Sequence, residues 1–240
     1  MTDPENKHPS GAPWRNFYGR FRGKTLRKSQ EEFLENDLAQ LSPGAVGWDE
    51  NPDREPLDIA ARFPGKRELW VEIGFGGGEH LVHMAARNPE VAIIGCEPFI
   101  NGVAMLLGKI REAGTDNIAV HPGDARDLFD VLEPGSVSKA FLNYPDPWPK
   151  KRHHRRRFVT AEHLEPLFSV MAPGSEFRVA TDIPDYVRQT LIEAPRAGFV
   201  WTAEGPDDWR RPWGDWCSTR YEQKALREGR VPHYLTFLRP

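Results

Sequence analysis

The chain has 240 residues, 39% of them hydrophobic and 28% charged, with a formal net charge of −3. That mixture suits a globular protein of one large α/β domain or two small ones, and no window approaches the ~18 consecutive apolar residues of a membrane span. Two cysteines, Cys96 and Cys217, lie far apart without metal-type spacing, which reads as free thiols in a reducing compartment and no metal site.

Residues 1–13 are polar and rich in Pro and Gly, the composition of a disordered tail. They lack an apolar h-region, so a cytoplasmic rather than secreted protein is expected. From Asn6 to Gln30 there is no acid, while Lys7, Arg15, Arg20, Arg22, Lys24, Arg27 and Lys28 accumulate around Phe17, Tyr18 and Phe21. The spacing of Phe33, Leu34, Leu38 and Leu41 predicts a helix over 30–41. The proline-rich stretch from Ser42 to Gly65 predicts an irregular connection with one short helix near Leu57–Arg62. Residues 14–65 thus form a basic arm and helical extension, too poor in apolar residues to fold alone.

From residue 66 to 240 strands and helices alternate. Strands are predicted at Leu69–Ile73, Val91–Gly95, Asn117–His121, Lys139–Leu142 and Glu176–Ala180, with further runs at Phe199–Ala203 and Tyr234–Leu238. Helices are predicted at Glu79–Arg87, Asn101–Ala113, Ala161–Met171 and Asp185–Glu193, each closed by Gly, Pro or Asn-Pro signals where such residues follow. This order argues an α/β fold with a mostly parallel sheet covered by helices on both faces. Ligands of such sheets sit outside the carboxyl ends of the strands. Here those ends carry Glu72, Gly74–Gly78, Glu97, Asp124, Asp146 and Asp182.

Gly74, Gly76, Gly77 and Gly78 allow a sharp turn and close backbone approach to a ligand. Glu97, about 20 residues beyond the turn, is placed to accept both hydroxyls of a ribose. Glu72 and Glu79 flank the glycines. Two carboxylates repel a pyrophosphate and suit a cationic nucleoside such as S-adenosylmethionine, which disfavours NAD. Asp124 reads either as an acceptor for an adenine amino group or as an N-cap or turn aspartate for Ala125-Arg126-Asp127. The stretch Asn143–Arg157, NYPDPWPKKRHHRRR, sets Asp146 among three prolines and two aromatics and then delivers six cations without an acid. Two basic blocks on an acidic chain, this one and the N-terminal arm, suit a polyanion whose single base is handled at the stiff loop. His80 and His83, at i and i+3, read as surface histidines of a helix. Trp209, Trp213 and Trp216 read equally as a base clamp or as loop packing.

The segments Leu69–Gly78, Gly95–Pro98, Gly123–Ala125, Asn143–Arg157, Ala180–Asp182 and Thr219–Glu222 closely resemble the bacterial tRNA (guanine-N7)-methyltransferases, with the Pro-Asp-Pro-Trp-Pro-Lys stretch the most specific. The resemblance implies a class I, Rossmann-like methyltransferase fold that uses S-adenosylmethionine on the variable-loop guanosine of tRNA. It implies Glu72, Gly74, Gly76, Glu97, Asp124 and Asp146 around the cofactor, with Asp146 also at the reaction centre. It implies Lys150, Asp182, Thr219, Arg220, Tyr221 and Glu222 against the substrate nucleotide. The tryptophan- and arginine-rich stretch 209–216 departs from that pattern. Guanine N7 has a lone pair and no proton, so methyl transfer needs no general base. Positioning then carries the acceleration, with the cations of Arg155–Arg157 on phosphates. The rival readings are an exocyclic-amine methyltransferase, a non-catalytic RNA-binding module and a NAD-dependent dehydrogenase. Monomer and homo-oligomer both remain open.

Overall fold

Alternation along the first strand decides the architecture. In β1 (Glu68–Ile73) the side chains of Leu69, Val71 and Ile73 enter one apolar core, whereas Trp70 enters another on the opposite face. A strand with period-two side chains that are buried on both faces needs helices above and below it. β2 (Val91–Cys96) is likewise buried throughout. The computed structural model describes residues 15–240, so the tail expected over residues 1–13 lies outside the described residues.

The described chain begins with an arm, then α1 (Lys28–Asn36) and α2 (Ile59–Arg62) before β1. Next come α3 (Glu79–Arg87), β2, α4 (Ile100–Ala113), β3 (Ile118–His121), α5 (Ala125–Phe129) and β4 (Val137–Asn143). A 3-10 turn over Lys151–Arg156 leads to α6 (Ala161–Val170), β5 (Met171–Thr181), α7 (Pro184–Arg196) and β6 (Val200–Trp201). The chain finishes with α8 (Asp207–Arg210), α9 (Arg220–Arg227) and β7 (His233–Leu238). All seven strands form one sheet in the order β3-β2-β1-β4-β5-β7-β6. The pairs from β3 to β5 are parallel, and β7 runs antiparallel to both β5 and β6. Leu81, Met84, Leu106 and Leu107 from α3 and α4 fill one core. Leu128, Leu164, Leu167 and Ala194 from α5, α6 and α7 fill the other.

Residues 15–65 have no separate core. Phe33, Leu34, Leu38 and Leu41 pack on the α3–α4 face, while Val46, Leu57 and Phe63 join the opposite core. The Val120 amide also donates to the Leu41 carbonyl at 2.7 Å.

Some boundaries differ from the sequence expectation. The helix predicted over 30–41 stops at Asn36, and the chain continues through turns that still lay Leu38 and Leu41 on the core. The helix predicted to reach Met171 ends one residue earlier, because Met171 already pairs with Val137. A register shift in that pairing takes up Pro173 and Gly174 inside β5, where a helix terminator had been read. Only Val200 and Trp201 of the run predicted over Phe199–Ala203 pair as a strand. The short helices α5, α8 and α9 carried too few apolar repeats to be read as helices. Among the described residues, no helix is long and apolar enough to cross a membrane.

Gly78 joins the glycine turn to α3 with φ of +79°, and a Cβ there would lie 2.5 Å from the Leu106 side chain. Gly78→Ala therefore meets both a left-handed backbone and an overpacked core. It should destabilise the protein by about 2–4 kcal/mol, read as a lowered urea midpoint with an unchanged slope.

Candidate active site

Strand order reverses between β1 and β4, and the loops after these two strands diverge to open a crevice at their carboxyl ends. A cavity of about 490 Å³ occupies it, a volume suited to a small ligand. The turn after β1 runs under it with Gly74 and Gly76 at φ of +69° and +56°. Gly102, in the first turn of α4, lets the Gly76 carbonyl approach to 2.3 Å of where a Cβ would stand. Glu97 follows β2 and locks this geometry: its Oε2 accepts from the Gly76 amide at 2.8 Å and its Oε1 from the Phe99 amide at 2.9 Å. Burial raises the Glu97 carboxyl above its ordinary pKa, and the charge of nearby Asp146 adds to the rise against those two amides.

Glu72, at the end of β1, is buried on the cavity wall. Its Oε2 lies 2.9 Å from His80 Nδ1, and Asn143 Nδ2 comes within 3.4 Å of its Oε1. Asn143 also lines the cavity, and its Oδ1 is buried without a partner among the described residues. His80 is therefore not the surface histidine that its helical spacing suggested: it is 2% exposed and packed against Phe141 and Trp216. Between the two readings of Asp124, the side chain performs the cap. Oδ1 accepts from the Arg126 amide at 2.9 Å, and Oδ2 pairs with the Arg126 guanidinium at 2.5 Å. Burial pushes its carboxyl up, but the Arg126 contacts outweigh this and leave it below the usual range.

The proline loop after β4 brackets Asp146 between two strained residues, Tyr144 at φ of +50° and Trp148 at +40°. Each costs about 1–3 kcal/mol and needs fixed surroundings. Tyr144 donates its amide to the Ala180 carbonyl at 2.8 Å and its hydroxyl to Glu222 Oε1 at 3.2 Å. Glu222 is 3% exposed and also accepts from Trp216 Nε1 at 3.0 Å and from the Tyr234 hydroxyl. On the other side, Arg157 grips the loop. It donates to the Pro147 carbonyl at 2.9 Å and Gln189 Oε1 at 2.8 Å, and pairs with Asp185 at 2.8 Å. Arg157 is 1% exposed, so it cannot serve the phosphate role expected of Arg155–Arg157. Lys150, Lys151, Arg152 and Arg155 do face solvent.

The N-terminal arm closes the crevice from above, with residues 16–20 among its walls. Arg15 pairs with Asp127 and Asp130 at 2.6 and 2.7 Å. Asn101 Oδ1 accepts from the Gly23 amide at 2.7 Å while its Nδ2 donates to the Lys24 carbonyl at 2.7 Å. Tyr18 meets Trp148 edge-on, and the Arg156 guanidinium covers both rings. Asp146 lines the cavity yet stays open to solvent at its mouth. The surrounding walls raise its carboxyl, and Arg20 of the arm opposes the rise.

The cavity thus gathers Glu72, Gly74, Gly76, Glu97, Asp124 and Asp146, together with Thr219 and Tyr221. Lys150, Asp182, Arg220 and Glu222 are not on its walls. Asp182 is buried and its carboxylate lies 2.7 Å from Arg230. Arg220 leans over the glycine turn toward Met105 Sδ. Thr219 caps α9, accepting the Glu222 amide. Of the ambiguous tryptophans, Trp213 donates to Thr236 and Trp216 to Glu222, so these two pack the loop on the sheet. The helical spacing of His80 hid its role as a buried partner. Its one signal was an acid eight residues earlier at the end of a strand. Arg157 was hidden by the five cations around it.

A cavity at the switch point of a 3-2-1-4-5-7-6 sheet, closed by an antiparallel last strand and floored by a glycine turn between acids, defines a class I methyltransferase fold. The solved 16S rRNA methyltransferase KamB shares it, with a TM-score of 0.56 at 16% identity over 78% of this chain and 95% of that one. A family model described as "Putative methyltransferase" matches residues 66–235. The tRNA (guanine-N(7)-)-methyltransferase of Ruegeria sp. (strain TM1040) is 71% identical over 99% of this chain and 92% of its own. The enzyme of that name from Agrobacterium fabrum is 47% identical over 93% and 94%. The chain belongs to the tRNA (guanine-N(7)-)-methyltransferase family.

A carboxylate must be ionised to accept from both hydroxyls of a ribose, the role expected of Glu97, and its raised pKa moves protonation toward neutrality. Nucleoside affinity should therefore be full above that pKa and fall on acidification earlier than an ordinary carboxylate would allow. Titrating S-adenosylhomocysteine by calorimetry across pH should show this decline. Glu97→Gln should bind about tenfold or more weakly and flatten it. Arg157→Met should strip the Pro147 carbonyl and Gln189 Oε1 of their donor, while Asp185 keeps Arg188 and His154, and should cost about 1–3 kcal/mol, seen as a lower thermal midpoint.

Proposed function

We propose that this chain transfers the methyl group of S-adenosylmethionine to N7 of a variable-loop guanosine in tRNA, in the cytoplasm. The observation that carries the reading is the ring of acceptors around the crevice, Glu97 on one side and Glu72 with the unpartnered Asn143 Oδ1 on the other. Such a set fits a ligand with ribose hydroxyls at one end and an ammonium at the other. A pyrophosphate would meet Glu72 and Glu79 and be repelled. Bound there, S-adenosylmethionine would supply an electrophilic methyl group on a sulfonium.

Glu97 would hold the ribose, Glu72 and Asn143 the ammonium. Gly74 and Gly76 would let the backbone approach closely, and the adenine end would face Asp124 and the α5 N-terminus. Asp146 stands at the mouth with Arg20 as its charged neighbour, free to accept from the guanine N1–H and N2–H₂ edge. Its charge would also stabilise the purine as it becomes cationic. Adenine lacks that pair of donors, so discrimination against it should reach about 10⁴-fold. Tyr144 and Trp148, fixed by Glu222 and by Tyr18 with Arg156, flank the place where a flipped base would enter. Thr219, Arg220 and Tyr221 are proposed to border the nucleotide from the α9 side. Asp182 and Glu222 would act through the partners they hold. Lys150, Lys151, Arg152 and Arg155, with Arg20, Arg22, Lys24 and Arg27 on the arm, would follow the phosphates.

Bulk tRNA incubated with labelled methyl donor should yield 7-methylguanosine on nucleoside analysis; any other methylated nucleoside would sink the assignment. Asp146→Asn should lower turnover by about 10³-fold with S-adenosylhomocysteine binding kept within a few-fold. Alanine at Lys150, Lys151, Arg152 and Arg155 together should reduce the salt slope of tRNA binding by about 3–4. Cofactor affinity should not change.

A further inference from the structure

The pair made by Glu72 and His80 sits behind the cavity rather than in front of it. Both side chains are 3% exposed, and Oε2 and Nδ1 are 2.9 Å apart. A carboxylate accepts only, so His80 Nδ1 carries the proton in this contact. The Asn143 Nδ2 lies between this ring nitrogen, at 3.2 Å, and Glu72 Oε1, at 3.4 Å; with Nδ1 already protonated, its hydrogen is directed to Oε1, a long and weak bond. Thus one carboxylate oxygen is firmly held from the protein side, and the other is left with spare acceptor capacity at the cavity wall. The imidazole is itself fixed, with Phe141 edge-on at 4.9 Å and Trp216 at 5.2 Å between ring centroids. Trp216 in turn donates to Glu222, which also anchors Tyr144.

We propose that His80 is a positioning residue for methyl transfer. It orients the Glu72 carboxylate so that Oε1, beside Asn143 Oδ1, receives the ammonium group of the methyl donor. The inference rests on the reading of Glu72 given above. Without the His80 donor, a carboxylate buried this deeply keeps one long contact and must turn toward another donor. That turn removes the ammonium seat while leaving the nucleoside end of the cavity intact.

Two probes separate these ends. S-adenosylhomocysteine carries the ammonium, and 5′-methylthioadenosine keeps the nucleoside and thioether but lacks the amino-acid group. His80→Leu should weaken S-adenosylhomocysteine by about tenfold to a hundredfold and leave 5′-methylthioadenosine within about twofold, both by calorimetry. His80→Asn, which restores a donor close to the Nδ1 position, should recover most of the loss. His80→Gln, with its donor displaced along a longer side chain, is the second variant should His80→Leu fail to melt cooperatively, and should show the same selective loss. Equal weakening of both probes, or of neither, in the folded variants overturns the role of His80. Glu72→Gln distinguishes the two levels. A selective loss there but not at His80 removes His80 alone, whereas no selective loss in Glu72→Gln removes the Glu72 reading and this inference with it.

Discussion

A carboxylate sealed from water must be answered by donors, and Glu222 is answered from three directions. Tyr144 reaches it from the loop after β4, Trp216 from the tryptophan-rich stretch and Tyr234 from the last strand. Removing one donor from a buried charge costs more than the bond itself is worth, because the charge remains. The three segments are therefore tied to one another through a single acceptor. The strained φ of Tyr144 persists because that residue is held at its amide and its hydroxyl together.

Arg157 does the complementary work with the signs reversed. A buried guanidinium with several fixed donors matches the carbonyls of a loop that prolines have stripped of its own N–H groups. Between the buried anion and the buried cation, Asp146 is presented on a rigid support. This is the kind of preorganisation that the proposed methyl transfer, which needs no general base, would depend on. The acids facing the crevice are correspondingly divided. Glu97 and Asp124 are held by amides and an arginine, Glu72 by a histidine, and Asp146 is faced by the Arg20 cation.

The strands of the parallel half were legible because residues buried on both faces give unbroken apolar runs such as Val91–Cys96. The alignment of acids at strand ends was legible for the same reason, since each run ends where its carboxylate begins. What could not be read was which charged residues turn inward. Arg157 and Arg155 are two positions apart in one cationic run, yet one is buried and the other exposed, and only the position of Asp185 and Gln189 on α7 decides it. His80 follows the same logic: its spacing describes the helix, but its burial comes from Phe141 and Trp216, sixty-odd and over a hundred residues away. The beginning of β5 was misread because a proline and glycine that normally stop a helix are accommodated here by a shift in pairing with β4.

The position of β7 has a consequence for how the protein comes into being. This strand lies between β5 and β6 and delivers Tyr234 to the Glu222 carboxylate, although it is the last element to emerge in chain order. Its ladder with β5, from Thr181 against His233 to Glu176 against Leu238, joins distant parts of the chain, and contacts of such sequence separation close after local structure has formed. A folding intermediate in which β1 to β5 have assembled but β7 has not docked would possess a sheet and a glycine turn, yet its proline loop would lack one of the neighbours that complete its latch. Acquisition of the fold and acquisition of competence are therefore separable events, and a chain can be largely native while its working face is still unfinished.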